Sequence, residues 1–236
     1  MKKITIALLI LCMAPFGVLA GESGMPLDRA PIDTTDNASL KRGAETFVNY
    51  CLTCHGASYM RYNRHRDIGY TNEEILSKLV LTGQKVGDLM QSAMRKKEGE
   101  EWLGVAPPDL SVIARARGAD WLYTYMRTFY EDPSRPYGVN NKVFPLVGMP
   151  NVLVGLQGRQ EIGCKQVQIE EDGVKVFDQL TGVPVTHEAC DQLTVVPNTG
   201  SLNEAEFDEK IKNLVTFLEY SANPVKLKSQ RIGTYV

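Results

Sequence analysis

A basic excess is the first thing this 236-residue sequence lacks: 26 lysines and arginines stand against 28 aspartates and glutamates, a net of −2. Nothing in that balance neutralises a phosphate backbone, which argues against nucleic acid as a partner. Cysteine is also scarce. Five in the whole chain are too few for a disulfide-dense miniprotein, so their placement matters more than their number. With 43% hydrophobic and 23% charged residues and a mean hydropathy of −0.20, the composition is that of an ordinary globular protein. It excludes a disordered, collagen-like or polytopic membrane chain.

The amino terminus carries an export pattern. Lys2 and Lys3 precede the apolar run from Ile4 to Leu11, and Val18-Leu19-Ala20 leads into Gly21. A spanning helix needs about 20 apolar residues, and Pro15 and Gly17 interrupt this one. Residues 1–20 therefore read as a cleaved secretory signal peptide rather than an anchor. Bulky Leu11 before Cys12 argues against lipid attachment there. Removal of the signal leaves 216 residues, a net charge of −4, and four cysteines in a compartment where disulfides persist.

Residues 21–36 show no helical period and are expected to form an extended arm. Helical patterning starts at Ala38, with Asp36 or Asn37 as cap, and places Leu40, Ala44, Phe47 and Val48 on one apolar face. Gly43 shares that face and leaves room for a second helix. Further helical patterns cover 72–82, 86–97 and 118–131. Near the end, Ser201 with Glu204 forms a capping box ahead of the stripe Phe207, Ile211, Leu214, Val215 and Leu218, which stops near Asn223-Pro224. Between about 152 and 198 the period changes: Val167 and Ile169, the Asp172-Gly173 turn pair, then Val174 and Val176 predict a β-hairpin. The expected fold is mainly α, with this hairpin-containing insert.

The chemistry concentrates in Cys51-Leu52-Thr53-Cys54-His55, the attachment motif for a c-type haem. Two thiols three positions apart on a turn of helix can add to the two vinyl groups of one porphyrin, and the next residue brings an imidazole to the iron. A CxxC pair alone would equally suit a redox dithiol or half a zinc site. The adjacent histidine, the export signal and the absence of a second CxxC favour haem. The iron's sixth position then decides between small-molecule chemistry at an open site and electron transfer at a thioether-ligated one. Met60 is too near His55 in sequence, and Met90, Met94 and Met126 sit in helical patterns where a packing role is expected. Met149 differs, lying in the proline-stiffened loop Phe144-Pro-Leu-Val-Gly-Met-Pro150. Spacing leaves it between iron ligand and gap-filler.

Other residues carry weaker signals. Ala106-Pro107-Pro108-Asp109-Leu110 is a rigid turn that could offer a carbonyl to His55; otherwise it is a helix start capped by Asp109 or Ser111. Arg115 and Arg117 suit haem propionates or plain solvent. His65, between two arginines, reads as a surface residue, and His187 has no ligand partner. Cys164 and Cys190, left over once the haem pair is assigned, are expected to form a disulfide worth about 3 kcal/mol in the chain-entropy model.

Taken in order, Asn37 through Gly56, Ala106-Pro-Pro-Asp-Leu-Ser111, Arg115-Ala-Arg117, Asp120-Trp-Leu-Tyr123, Asn140 through Pro145, Met149-Pro150 and Val215 through Tyr220 resemble cytochrome c1, the haem subunit of quinol–cytochrome c reductase. The resemblance covers nearly all of residues 37–230. It implies a cytochrome c-type fold over 37–225, with first and last helices crossing, and one covalent haem c held by Cys51 and Cys54 with His55 and Met149 as axial ligands. It implies that Arg117 rather than Arg115 meets a propionate, although Arg115 stays in contention. It also implies a cytochrome b subunit and a Rieske iron–sulfur protein as partners, with a soluble cytochrome c as acceptor. The setting would be the periplasmic face of a bacterial inner membrane. Family members end in a membrane helix; residues 226–236 resemble the lead-in to it, and the anchor itself is absent from this sequence. The acidic groups Glu98, Glu100 and Glu101, or Glu204, Glu206 and Asp208, could attract a basic acceptor, or could simply be solvated. The remaining functional alternatives are a stand-alone exported c-type cytochrome and an open-site haem enzyme or sensor.

Overall fold

The computed structural model describes residues 25–226, apart from 82 and 172, together with Gly233. The expected signal peptide and nearly all of the 226–236 lead-in lie outside the described residues. Asp36 opens the first helix, α1 (Asn37–Tyr50), its carboxylate accepting from the backbone N–H groups of Ala38 and Ser39. β1 (Ala57–Arg61) follows the haem motif. After a 3-10 turn (Tyr62–Ile68) and α2 (Asn72–Lys78), β2 (Leu89–Met90) pairs antiparallel with β1. Next come α3 (Lys96–Leu103), α4 (Ile113–Arg117) and α5 (Ala119–Arg127). β3 (Phe129–Glu131) pairs with β4 (Val139–Asn141), and α6 (Val154–Gln157) leads into the insert. There β5 (Gln160–Gln168) pairs with β8 (Thr186–Val195), enclosing the short pair β6 (Glu170–Glu171) and β7 (Val174–Lys175). α7 (Glu204–Ala222) closes the domain.

α1 and α7 cross at Gly43. A Cβ there would run into the backbone carbonyl of Asn213, so only glycine lets the two helices approach this closely. Ser39 donates to Asn213 Oδ1 at 2.6 Å beside the crossing, and the Phe47 and Phe217 rings meet at 5.7 Å. The arm does not drift free. Asp28 and Ala30 donate backbone N–H groups to Thr124 Oγ1 (2.9 Å) and Asp120 Oδ1 (2.8 Å) on α5. Arg127 ties three segments together, pairing with Asp28 of the arm and Asp208 of α7, each at 2.6 Å. Asp208 is thus part of an internal clamp.

Several expectations need correction. Mainly α is too simple, because four two-stranded antiparallel sheets accompany the helices among the described residues. The helix expected over 86–97 is a loop and a bridge strand. Val86, Met90 and Met94 recur every four residues, but only Met90 is fully buried, on β2 beside Ala57, and the true helix starts at Lys96. The pattern over 118–131 breaks at Thr128, where β-branched and aromatic residues pair with β4 instead. The last capping box belongs to Asn203 and Glu206, since the backbone N–H groups of Ser201 and Leu202 are already bound to Gly155 and Leu156. Asp172 of the expected turn lies outside the described residues, and the strands that flank it, β6 and β7, pair over only two residues each. The principal ladder is β5 with the unanticipated β8, and Cys164 is bonded to Cys190 across it. His65 is fully buried rather than at the surface, its ring between Tyr62, Tyr70 and Phe217. The 3-10 turn rolls it inward while its flanking arginines point out.

Candidate functional site

The Cys51–His55 motif forms as a tight turn where α1 ends. The Cys51 carbonyl accepts from the N–H groups of both Cys54 (3.1 Å) and His55 (2.8 Å), which gathers both thiols and the imidazole at the mouth of one cavity. That cavity, about 310 Å³, is lined by Cys51, Cys54 and His55 together with Pro108, Arg117, Trp121, Tyr125 and Met149, amid leucine, valine and proline side chains. Burial pushes the Cys51 thiol up to about 12, with Cys54 adding to the effect, and raises Cys54 as well. Neither forms a disulfide, in contrast to Cys164 and Cys190.

His55 is aimed by the Pro107-Pro108 turn. Its Nδ1 lies 2.8 Å from the Pro108 carbonyl oxygen, and because a carbonyl can only accept, Nδ1 carries the proton and Nε2 keeps its lone pair. Burial lowers the imidazole pKa, outweighing the Pro108 hydrogen bond and the nearby Asp109 charge, so the ring is neutral and fit to ligate. The proline turn is itself stitched to the motif. Leu110 N–H donates to the Gly56 carbonyl at 2.7 Å, Ser58 N–H to Asp109 Oδ2 at 2.9 Å, and Tyr59 N–H to Ser111 Oγ at 3.0 Å. Asp109 does not cap a helix, as one sequence expectation had it. It accepts from Ser58 and Ser111, and α4 begins only at Ile113, after an N-cap without a side-chain bond. Burial would raise the Asp109 pKa, but these hydrogen bonds hold it below the usual carboxylate value.

Met149 enters the same cavity from the loop after β4. Asn141 organises that loop: its Oδ1 accepts from the N–H groups of Val143 (2.9 Å) and Phe144 (3.1 Å), and its Nδ2 donates to the Tyr125 carbonyl at 2.8 Å. Asn140 Oδ1 accepts from Leu146 N–H at 2.9 Å, and Arg135 donates to the Leu146 carbonyl at 3.0 Å. Together they support Leu146 in the left-handed region at φ 62°. Sequence reasoning missed Asn140 and Asn141 as scaffold, and Tyr125 altogether; paired asparagines ahead of a proline loop were the available signal. The Tyr125 hydroxyl donates to Met149 Sδ at 3.4 Å.

Of the two arginines, Arg117 lines the cavity, its guanidinium 5.0 Å from the Trp121 ring centroid and 5.7 Å from that of Phe144. Arg115 is not among the lining residues. His187 sits opposite Val167 in the insert, away from the cavity. Met60 and Met90 are core residues on β1 and β2, and Met126 lines the cavity from α5.

Two unpaired thiols, a neutral imidazole with a free Nε2, a thioether and an apolar cavity form a donor set that fits a covalently held iron porphyrin. Comparison with known proteins agrees with that chemistry. The sequence profile of the Cytochrome C1 family matches residues 28–157. Over its whole length the chain is 42% identical to cytochrome c1 of Allochromatium vinosum, covering 91% of it. The chain belongs to the cytochrome c1 family. It is likewise 47% identical, end to end, to a Nitrosomonas europaea protein named ammonia monooxygenase gamma subunit, covering 90% of that protein. A mitochondrial cytochrome c1-2 of Solanum tuberosum is 27% identical over 52% of this chain and 56% of its own length. As a family member the chain carries one covalent haem c and serves as a haem electron-transfer subunit of the quinol–cytochrome c reductase complex. Among the described residues no helix is long and apolar enough to cross a membrane.

Proposed function

We propose that Cys51 and Cys54 hold the haem through thioether bonds and that His55 Nε2 and Met149 Sδ are its axial ligands. The observation that carries this reading is the convergence of all four side chains on one apolar cavity. Haem c supplies a one-electron couple at iron; every other task falls to the chain. The Pro108 carbonyl fixes the His55 tautomer and increases the electron donation of the ring. Asn140, Asn141 and Arg135 hold the Met149 loop against displacement. Leu122, Met126, Val147 and their neighbours exclude water, which lowers the reorganisation needed when charge changes. Arg117, clamped over Trp121, neutralises a propionate.

In this reading the electron arrives from a Rieske iron–sulfur protein and leaves to a soluble cytochrome c, with the cytochrome b subunit as structural neighbour. The protein works at the periplasmic face of the bacterial inner membrane after its signal peptide is removed. Phe144 and Leu146, 44% and 69% exposed, lie beside the cavity and offer an apolar contact for brief docking. Of the acidic groups, Asp208 is tied to Arg127, Glu206 to the Asn203 cap and Glu98 to Arg95, which leaves Glu100 and Glu101 on α3 and Glu204 at the start of α7 as the better attractors for a basic acceptor.

The test is purification from native membranes with reduced-minus-oxidised spectroscopy. The expected result is a six-coordinate haem c that resists acid–acetone extraction and co-purifies with a b-type haem and an iron–sulfur subunit. A soluble pigment alone would support the stand-alone carrier instead. Co-purification with a monooxygenase would extend to this chain the name its Nitrosomonas relative bears. Avid ligand binding by the reduced wild-type protein would point to an open-site enzyme or sensor.

A further inference from the structure

Among the described residues, one polar side chain, Tyr125, hydrogen-bonds the sulfur of the proposed ligand Met149. Its hydroxyl donates to Met149 Sδ at 3.4 Å, and its position is over-determined. One face of the ring is stacked on Trp121 (centroids 4.8 Å apart, planes 11° from parallel), and Phe129 meets it at 5.1 Å and 71°. Asn141, which also shapes the Met149 loop, holds its backbone carbonyl at 2.8 Å. The side chain is buried, and a phenol keeps its hydrogen throughout the physiological range, so the group is a donor.

From this geometry we infer that Tyr125 is a positioning and potential-setting residue for the haem, acting through the Met149 sulfur. The inference rests on the reading of Met149 as a ligand. A thioether sulfur has two lone pairs. Donation of the phenolic hydrogen to one of them orients the other toward the cavity and fixes which side of the sulfur faces the metal. The same bond draws electron density from sulfur. A poorer donor stabilises the oxidised metal less than the reduced one, so the hydrogen bond raises the reduction potential. Water has little access to compete, because Tyr125 is buried, with Trp121 stacked on its ring and Phe129 against its edge. His55, whose Pro108 bond makes it a better donor, is thus opposed by a thioether made a weaker one.

The experiment uses the haem-loaded full chain and reads potential and spectrum rather than turnover. Tyr125→Phe removes only the hydroxyl and keeps the ring packing. At a fixed redox poise its reduced-to-oxidised ratio should fall about two- to tenfold, the range expected for one hydrogen bond. The sulfur-to-iron charge-transfer band should persist but move. Tyr123→Phe, a neighbouring tyrosine that does not line the cavity, should change neither. A fluorinated tyrosine at position 125, a stronger donor of the same shape, should move the ratio the opposite way. A Tyr125→Phe protein that titrates like wild type while its charge-transfer band remains overturns the inference and leaves the ligand reading intact. A band that survives Met149→Ala instead overturns the ligand reading, and the role of Tyr125 with it.

Discussion

The helical domain and the β insert of this chain solve the same problem by different physics. The α1–α7 crossing is held by buried apolar surface: Phe47, Ile211, Leu214, Phe217 and Leu218 are all essentially inaccessible to solvent. The insert has almost no core. Its β8 is mostly exposed or half-buried, and Leu180 near its tip is 96% exposed. What holds it is the β5–β8 backbone ladder and the Cys164–Cys190 bond. A region without enough apolar surface to offset its ordering entropy needs a covalent staple. The helical domain needs none, because its packed apolar side chains supply that surface.

This contrast can be broken or sharpened by experiment. Replacing both Cys51 and Cys54 with serine strikes the helical domain hardest. All pigment should then leave the protein in acid–acetone, and the thermal transition should broaden as the cavity loses its filling. Met149→Ala is expected to leave the haem attached but open one axial position, so that the reduced protein binds carbon monoxide and its potential falls; unchanged spectra would remove Met149 from the site. Gly43→Val should destabilise the domain by about 3 kcal/mol, at the upper end for overpacking, because the obstacle is the Asn213 backbone and not a movable side chain. Urea titration would read that loss.

The double change Cys164→Ser, Cys190→Ser should behave in the opposite manner. It removes a constraint worth about 3 kcal/mol in the unfolded-chain picture. Because the staple spans only the insert, the loss should show as faster proteolysis and hydrogen exchange between 160 and 195, with the haem spectrum intact. A changed spectrum would mean that the two regions are coupled. The effect confined to the narrowest conditions is a pH dependence centred on His65, invisible at neutral pH. Burial depresses its pKa from 6.5 to about 4, despite the Tyr62 hydrogen bond and the Asp67 charge. Its contribution is therefore complete above pH 6.5 and is lost as pH falls toward 4, by at most about 1.4 kcal/mol per pH unit. His65→Phe should flatten that limb of the stability curve.

Much of the site was legible because its chemistry is local. Cys51, Cys54 and His55 fall within five residues of one turn, so their spacing alone describes a haem attachment motif. Gly43 and the α7 stripe were readable from helical period, since burial on one face leaves a repeating trace. The arm and the first helix follow from equally short-range rules, which left the cap between Asp36 and Asn37; the structure chose Asp36. Where several outcomes share one pattern, the chain was silent. Val86, Met90 and Met94 satisfy a helix and a bridge strand alike, and only the neighbouring Ala57 chooses between them.

The linear order of residues thus determined the Cys51–His55 attachment motif, the export pattern and the two helices that cross, because each depends on neighbours within one or two turns. Tertiary structure alone decided that Met149 and Tyr125 share a cavity with His55, that Pro108 sets the imidazole tautomer, and that His65 is interior. Those relations join residues separated by as few as three and as many as 152 positions. Their free energy comes from contacts that exist only after the chain has closed on itself.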